Sequence, residues 1–272
     1  MVPIKFYAPQ WGTILPFRVF CQNVQAAGYD GVEMPLPIDV SERQEIITTL
    51  KHYGLELIGQ YWQSFERDPD EHGRSYEKHL QNLAAAQPVL INCQTGKDFF
   101  TFDQNRHLFA IAARISAETG IKIIHETHRG KALFAAHICH DYLTKLPDLR
   151  ITLDISHWCN VHESLLDDQT EAVTLALAHT DHIHSRVGHP EGPQVNDPRA
   201  PEWKTTLDAH LAWWDTVVET HRVAGTPLTV TTEFGPSTYM PVLPYTQLPV
   251  GDQWTINVFM MNLLKKRYSL VG

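Results

Sequence analysis

The feature that most constrains this chain is an alternation of two periodicities that runs from one end to the other. Short runs rich in Ile, Val, Leu and Tyr are each followed by a longer stretch whose apolar residues recur every three or four positions. The first kind reads as buried strand and the second as amphipathic helix. IKFYA leads to PFRVFCQNVQAAG, where Phe17, Val19, Phe20, Val24 and Ala27 mark one helix face and Gly28 a stop. DGVEMP is a second strand. SERQEIITTLKHYG follows with Ser41 as N-cap and Gly54 as C-terminal stop, and LELIGQYW is a third strand.

The same pattern continues through YEKHLQNLAAAQ, VLINCQT, NRHLFAIAARISAETG and IKIIHE, which is the fifth strand. KALFAAHICHDYLTKL, RITLDI, ESLLDDQTEAVTLALA and HIHSRV carry it to the seventh. A helix around WKTTLDAHLAWWDTVVETHRV and the strand LTVTTEF complete eight units, closed by DQWTINVFMMNLLKKRY. Strands that alternate with helices run parallel, because each helical crossover returns the chain to the same end, and eight of them close most simply into a (β/α)8 TIM barrel. The length, 272 residues with 43% hydrophobic content, suits one such domain spanning 1–272, since this α/β fold typically takes about 250 residues. Neither GxGxxG nor GxxxxGKS/T occurs, which removes the usual signature of the rival doubly wound sheet.

A net charge of -9 offers no electrostatic footprint for a phosphate backbone, so no nucleic-acid partner is expected. MVPIKFYAPQWG has no charged segment leading into an apolar stretch, and no run of about 18 apolar residues occurs. The expectation is a soluble, cytoplasmic protein with no membrane partner. Cys21, Cys93, Cys139 and Cys159 are scattered without a CxxC pair, as reduced thiols are, and none is assigned a catalytic part.

Four candidate metal ligands end four successive strands: Glu126 in IIHETHRG, Asp154 in LDISHW, His184 in DHIHSRVGH and Glu233 in TTEFGP. Residues at the C-terminal strand ends of a barrel project into its mouth, so the four are expected to converge from strands five to eight. Three carboxylates and one imidazole make a hard, oxygen-rich site that suits manganese, magnesium or cobalt better than a structural zinc. His157, three residues past Asp154, is placed to touch a substrate oxygen or to ligate a second ion. His182 and His184 share one strand face, and only the outer one, His184, is at the mouth. Arg186 continues that face; it either holds a hydroxyl, carboxylate or phosphate of the substrate or pairs with a nearby acid. Trp11, Tyr61, Trp62, Trp158 and Trp203 lie near strand ends as pocket wall or core, with Trp158 the best candidate for the wall. RVGHPEGPQVNDPRAPEW, residues 186–203, is the longest irregular stretch and is expected over the mouth.

The pairing of metal and carboxylates points to enolisation. Removing a proton next to a ketone builds charge on the carbonyl oxygen, which a cation stabilises while carboxylates take and return the proton. Return to the neighbouring carbon is isomerisation, return to the opposite face is epimerisation, and loss of a β-hydroxyl is dehydration.

Glu at strand five, DxxH at six, HxH at seven and Glu at eight resemble, in that order and over essentially the whole chain, the xylose isomerase-like TIM-barrel superfamily of sugar phosphate isomerases and epimerases. The resemblance implies one divalent ion, manganese first with magnesium, cobalt or zinc as alternatives, on Glu126, Asp154, His184 and Glu233. It implies that Glu126 and Glu233 double as the catalytic acid/base pair, that His157 binds substrate, and that the substrate is a small sugar or cyclitol. Glu33 in DGVEMP matches an acid often found at the end of the second strand. Many members are dimers or tetramers, so a homo-oligomer is implied as well, and WTINVFMMNLL would pack either on the barrel or on a partner subunit. One departure is plain: ketose 3-epimerases of the family carry HxHxGE with a later arginine, whereas HIH here runs into SRVGHPEGPQ. That leaves Arg186, His189 and Glu191 as alternatives for the substrate side of this loop. A keto-sugar or inosose-type dehydratase is the alternative on the same site. An endonuclease IV-like zinc phosphodiesterase is a more distant one, favoured by the 16 histidines and opposed by the acidic balance.

Overall fold

The computed structural model describes residues 3–63 and 65–269; Ser64 and the two ends of the expected 1–272 domain lie outside the described residues. Eight parallel strands close into a barrel: β1 (Ile4–Pro9), β2 (Gly31–Met34), β3 (Glu56–Tyr61), β4 (Leu90–Cys93), β5 (Ile123–Glu126), β6 (Ile151–Leu153), β7 (Thr180–His184) and β8 (Leu228–Thr231). The ring shuts where β1 pairs with β8, Ile4 opposite Leu228 and Tyr7 opposite Thr231. Every strand is flanked by its sequence neighbours, as the alternation predicts.

The helices are α1 (Phe17–Ala27), α2 (Val40–His52), α3 (Pro69–Ala84), α4 (Phe102–Thr119), α5 (Ala136–Lys145), α6 (Ile155–Val161), α7 (Thr170–Ala178), α8 (Lys204–Ala224) and α9 (Gln253–Ser269). Gly28 ends α1 in the left-handed conformation, at φ 88°. The N-cap of α2 is Asp39 rather than the expected Ser41: its carboxylate accepts from the Glu42 amide, which fixes the helix start two residues earlier. The stretch 163–169, read as the start of a helix, is irregular, and a short α6 stands directly after β6 instead. The apolar face of α9 is spent on the barrel: Ile256, Met260, Met261 and Leu264 are buried in the main core. No helix among the described residues is long and apolar enough to cross a membrane.

Inside the barrel the side chains are layered. Tyr7, Ile58, Leu90 and Ile124 form an apolar cluster of their own, separate from the large core between strands and helices. Two residues further along β3, β4 and β5, on the same face, come Gln60, Asn92 and Glu126, all buried. The interior therefore changes from apolar plug to polar floor within one pleat, at the end where the site is built.

Candidate metal centre

Glu126 is the last residue of β5 and Asp154 the first after β6, His184 ends β7, and Glu233 lies two residues past β8. Asp154 is held between strand and helix at φ −104°, ψ 81°, with its amide donating to Thr127 Oγ1 at 2.8 Å. Glu233 is fixed from behind, because Asn257 of α9 both accepts from and donates to the backbone of the next residue, Phe234, at 2.9 Å.

These positions bring one ligand atom from each of the four side chains within 4.8 Å of one another, all buried. His184 Nδ1 lies 2.7 Å from Glu233 Oε2, 3.8 Å from Glu126 Oε1 and 3.9 Å from Asp154 Oδ2. Those two atoms, His184 Nδ1 and Glu233 Oε2, are buried and face each other at ion-pair distance, yet neither makes a well-aligned hydrogen bond among the described residues. Buried polar atoms without partners are rare and call for a ligand. A hard divalent cation fits these donors, and Glu126, Asp154, His184 and Glu233 are the residues that would hold it.

The electrostatics agree. Burial first, and then repulsion from Glu233, Asp154 and Glu33, pushes the Glu126 carboxyl up to about 8 against the pull of His184. Asp154 is raised by its burial and by Glu233, although Arg186 works the other way. Burial also opposes ionisation of Glu233, yet His184 and Arg186 hold it below the usual carboxylate range. Against its own burial, His184 is held well above the ordinary imidazole range by Glu233, Glu33 and Glu126. Without a cation the cluster keeps protons that a metal would displace.

Arg186 is fully buried and its donors are committed to the protein. It pairs with Asp154 Oδ2 and donates to Ser156 Oγ at 3.2 Å, to the Glu233 carbonyl at 3.2 Å and to His157 Nε2 at 2.9 Å. The ring faces of Tyr239 and Trp11 cover it, at 4.7 and 5.9 Å. The ion pair, one of the two sequence alternatives, is present, and the residue also lines the cavity.

That cavity, about 230 Å³, opens above the cluster between Trp11, Gln60, Trp62, Gln94, His128, Arg186, Glu233 and Tyr239. A larger one, about 930 Å³, lies near the other end of the barrel against α8 and α9; among the described residues it has no clustered ligand set. Trp11 approaches Gly235 so closely that a Cβ there would sit 2.2 Å from the indole, which is why this wall position is glycine.

Several expected residues are placed differently. Trp158 is a correction: it is buried in the main core, its indole donating to the Leu133 carbonyl at 3.0 Å, because one helical step past His157 turns the side chain outward from the mouth. His157 lies beneath the cavity wall, its ring tilted against that of His128 at 3.9 Å between ring centres, and it is His128 that reaches the cavity. Tyr61 packs on Tyr76, and Trp203 packs on His189 and donates to Asn196. The 186–203 segment is not a cover over the cavity. Gln194 clamps Gly235 through two hydrogen bonds and the Gly188 amide donates to His210, so the segment braces the rim, and neither His189 nor Glu191 lines the cavity.

The reading of the sequence missed Gln60, Asn92, Gln94 and Tyr239. Gln60 donates to Glu233 at 3.1 Å, and Asn92 and Gln94 donate to Glu126 at 3.1 and 3.4 Å. A polar residue on the interior face of an otherwise apolar strand was the available signal for the first two. Tyr239 comes from the long β8–α9 connection, where no periodicity marks it.

No protein-family model matches the sequence, and no curated protein is detectably similar to it. Solved structures are similar throughout. D-psicose 3-epimerase from Clostridium cellulolyticum, solved with D-tagatose, superposes with a TM-score of 0.61 over 98% of this chain and 99% of that one, at 14% identity. A xylose isomerase domain protein from Planctomyces limnophilus gives 0.61 over 98% and 99%, at 11% identity. The chain has the fold of the xylose isomerase-like TIM barrels. Endonuclease IV from Thermus thermophilus shares that architecture, at a TM-score of 0.58 over 98% and 100% with 10% identity, so the xylose isomerase-like fold by itself does not choose a reaction.

Proposed function

We propose that the chain is a divalent-metal-dependent isomerase or epimerase that moves a proton on a carbon next to the carbonyl of a small sugar or cyclitol, with manganese the first candidate metal. The observation that carries this reading is the convergence of Glu126, Asp154, His184 and Glu233 from four successive strands, ligand atoms within 4.8 Å, below a cavity of about 230 Å³. A space of that size suits one small molecule, and its amide and aromatic lining suits hydroxyl groups and the apolar face of a sugar ring.

A bound cation supplies the positive charge that stabilises an ene-diolate-like oxygen. Glu126 and Glu233 enter from strands three places apart around the ring, so one carboxylate can take the proton and the other can return it. Gln60 and Gln94 hold those two carboxylates in place, and Arg186 does the same for Asp154. Trp11, Trp62 and Tyr239 exclude water from the reacting carbon. Loss of a β-hydroxyl after the same deprotonation would make the chain a dehydratase.

The test is elemental mass spectrometry on protein purified without chelator, followed by deuterium incorporation from heavy water into a panel of ketoses and keto-cyclitols. One manganese, magnesium or cobalt ion per chain, lost in Asp154→Asn, together with exchange into at least one ketone, is the expected result. No metal after reconstitution, or no exchange across the panel, overturns it.

One observation favours a phosphodiesterase reading. Glu126, His128 and His157 form a second group close enough to share an ion beside the first. The charge of -9 opposes a polyanionic substrate. Three zinc ions per chain and cleavage of an abasic-site duplex would move the assignment there.

A further inference from the structure

Directly beneath the four ligands lies another buried carboxylate, Glu33 of β2. Asn92 Nδ2 donates to its Oε1 at 2.9 Å and Thr231 Oγ1 to its Oε2 at 2.5 Å. His182 Nε2 lies 3.1 Å from Oε2, and His184 Nε2 lies 3.1 Å from both oxygens. A carboxylate offers about four lone-pair directions, so these four donors saturate it. Glu33, His182 and His184 are close enough together to share an ion. With every acceptor site on Glu33 already taken, that trio is a hydrogen-bonded support and not a second metal site.

An ionised carboxylate only accepts, so both imidazoles must carry their proton on Nε2. His182 Nδ1 then accepts from Thr229 Oγ1, at 2.7 Å. For His184 the same assignment leaves Nδ1, the nitrogen that faces Glu233, Glu126 and Asp154, as the one that offers its lone pair once a cation displaces the proton there. A free imidazole populates both tautomers, and the partner of one ring nitrogen decides which form the other presents to a metal.

We infer that Glu33 is a positioning residue: through Asn92, Thr231 and the two histidines it locks His184 in the tautomer and ring orientation that ligate a divalent cation by Nδ1. The inference rests on the metal-site reading above. Glu33 itself does not line the cavity.

The test uses Zn2+ as probe. Its affinity is measured by competition with a chromophoric chelator, and the His184 ring nitrogens are read by NMR of the 15N-histidine-labelled, zinc-loaded protein. The wild type is expected to show zinc on Nδ1 and a strongly deshielded Nε2–H. Glu33→Gln sets an amide N–H against one of the donors, and is expected to weaken zinc binding about 10- to 100-fold and to shift that N–H resonance upfield. Thr231→Val, which leaves the carboxylate in place with one donor fewer, carries the test if Glu33→Gln does not fold and is expected to weaken binding by a few-fold. Unchanged affinity and an unchanged resonance in the variants overturn the inference alone. Zinc on Nε2 in the wild type does so too, whereas no zinc bound by the wild type takes the metal-site reading down with it.

Discussion

Two neighbouring layers inside the barrel are built on opposite principles. Ile58, Leu90 and Ile124, with Tyr7, form a dry plug; one pleat higher the same three strands present Gln60, Asn92 and Glu126, joined by Glu33, His184 and Glu233. Both layers are buried, so the difference lies in what burial does to each. In the plug it is favourable, about 1.5–3 kcal/mol per large apolar side chain. In the upper layer it desolvates carboxylates and sets them against one another, as the Glu126 carboxyl pushed up to about 8 records. The lower layer stabilises the barrel, and the upper one is held together by hydrogen bonds around a place for a cation. Substitutions should therefore separate cleanly into losses of stability and losses of chemistry.

The largest effect expected is on chemistry. Glu233→Gln and Glu126→Gln should each lower deuterium exchange into the substrate by about 10²- to 10⁴-fold, the range over which general acid–base groups act. Without a cation the Glu126 carboxyl, pushed up to about 8, is already largely protonated at neutral pH, so the melting temperature of Glu126→Gln in the presence of chelator should match that of the wild type. A clear fall in Tm would break the contrast between the layers.

Ile124→Ala tests the other side. Truncating a buried Ile in a packed plug costs about 2–5 kcal/mol, read by urea denaturation, while metal affinity should remain that of the wild type. Loss of metal binding in proportion to stability would mean that the two layers are not independent.

Chelation then compares the layers in one molecule. An ion present at 100 times its Kd stabilises the native state by about 2.7 kcal/mol, so its removal should lower Tm in the wild type and in Ile124→Ala alike. Asp154→Asn should show no such shift.

The two layers also differed in how far the sequence revealed them. The eight strands, their order and the strand ends bearing Glu126, Asp154, His184 and Glu233 follow from local periodicity, because a strand end in a parallel barrel has a fixed direction. Trp158 was misplaced because Asp154 is followed at once by a helix, and a helical step of 100° sends its side chain away from the mouth. Glu33 matched a family position, but its partners lie 59, 149, 151 and 198 residues away in sequence, and nothing local announces such a network. Gln194 clamping Gly235 was hidden for the same reason: the segment looks irregular because its hydrogen bonds are tertiary.

The smallest effect concerns the rim, outside both layers. His210 of α8 donates from Nδ1 to the Thr206 carbonyl at 2.9 Å and accepts the Gly188 amide on Nε2 at 3.1 Å, so it must be neutral to hold the 186–203 segment. Burial depresses it to about 4, against the opposing Thr206 bond. An unfolded histidine titrates near 6.5, so between about 6.5 and 4 the unfolded state binds the extra proton. This contribution to stability is thus complete above about pH 6.5 and is lost as the pH falls toward 4, at a slope of about 1.4 kcal/mol per pH unit. His210→Gln should flatten the stability–pH curve by that amount in that window, measured by urea denaturation, and leave metal stoichiometry at pH 7 untouched. Some slope should survive, because burial also depresses His125 and His128, each to about 3. Equal slopes in variant and wild type would mean that His210 is already protonated in the native state, and that the rim is braced by Gln194 without it.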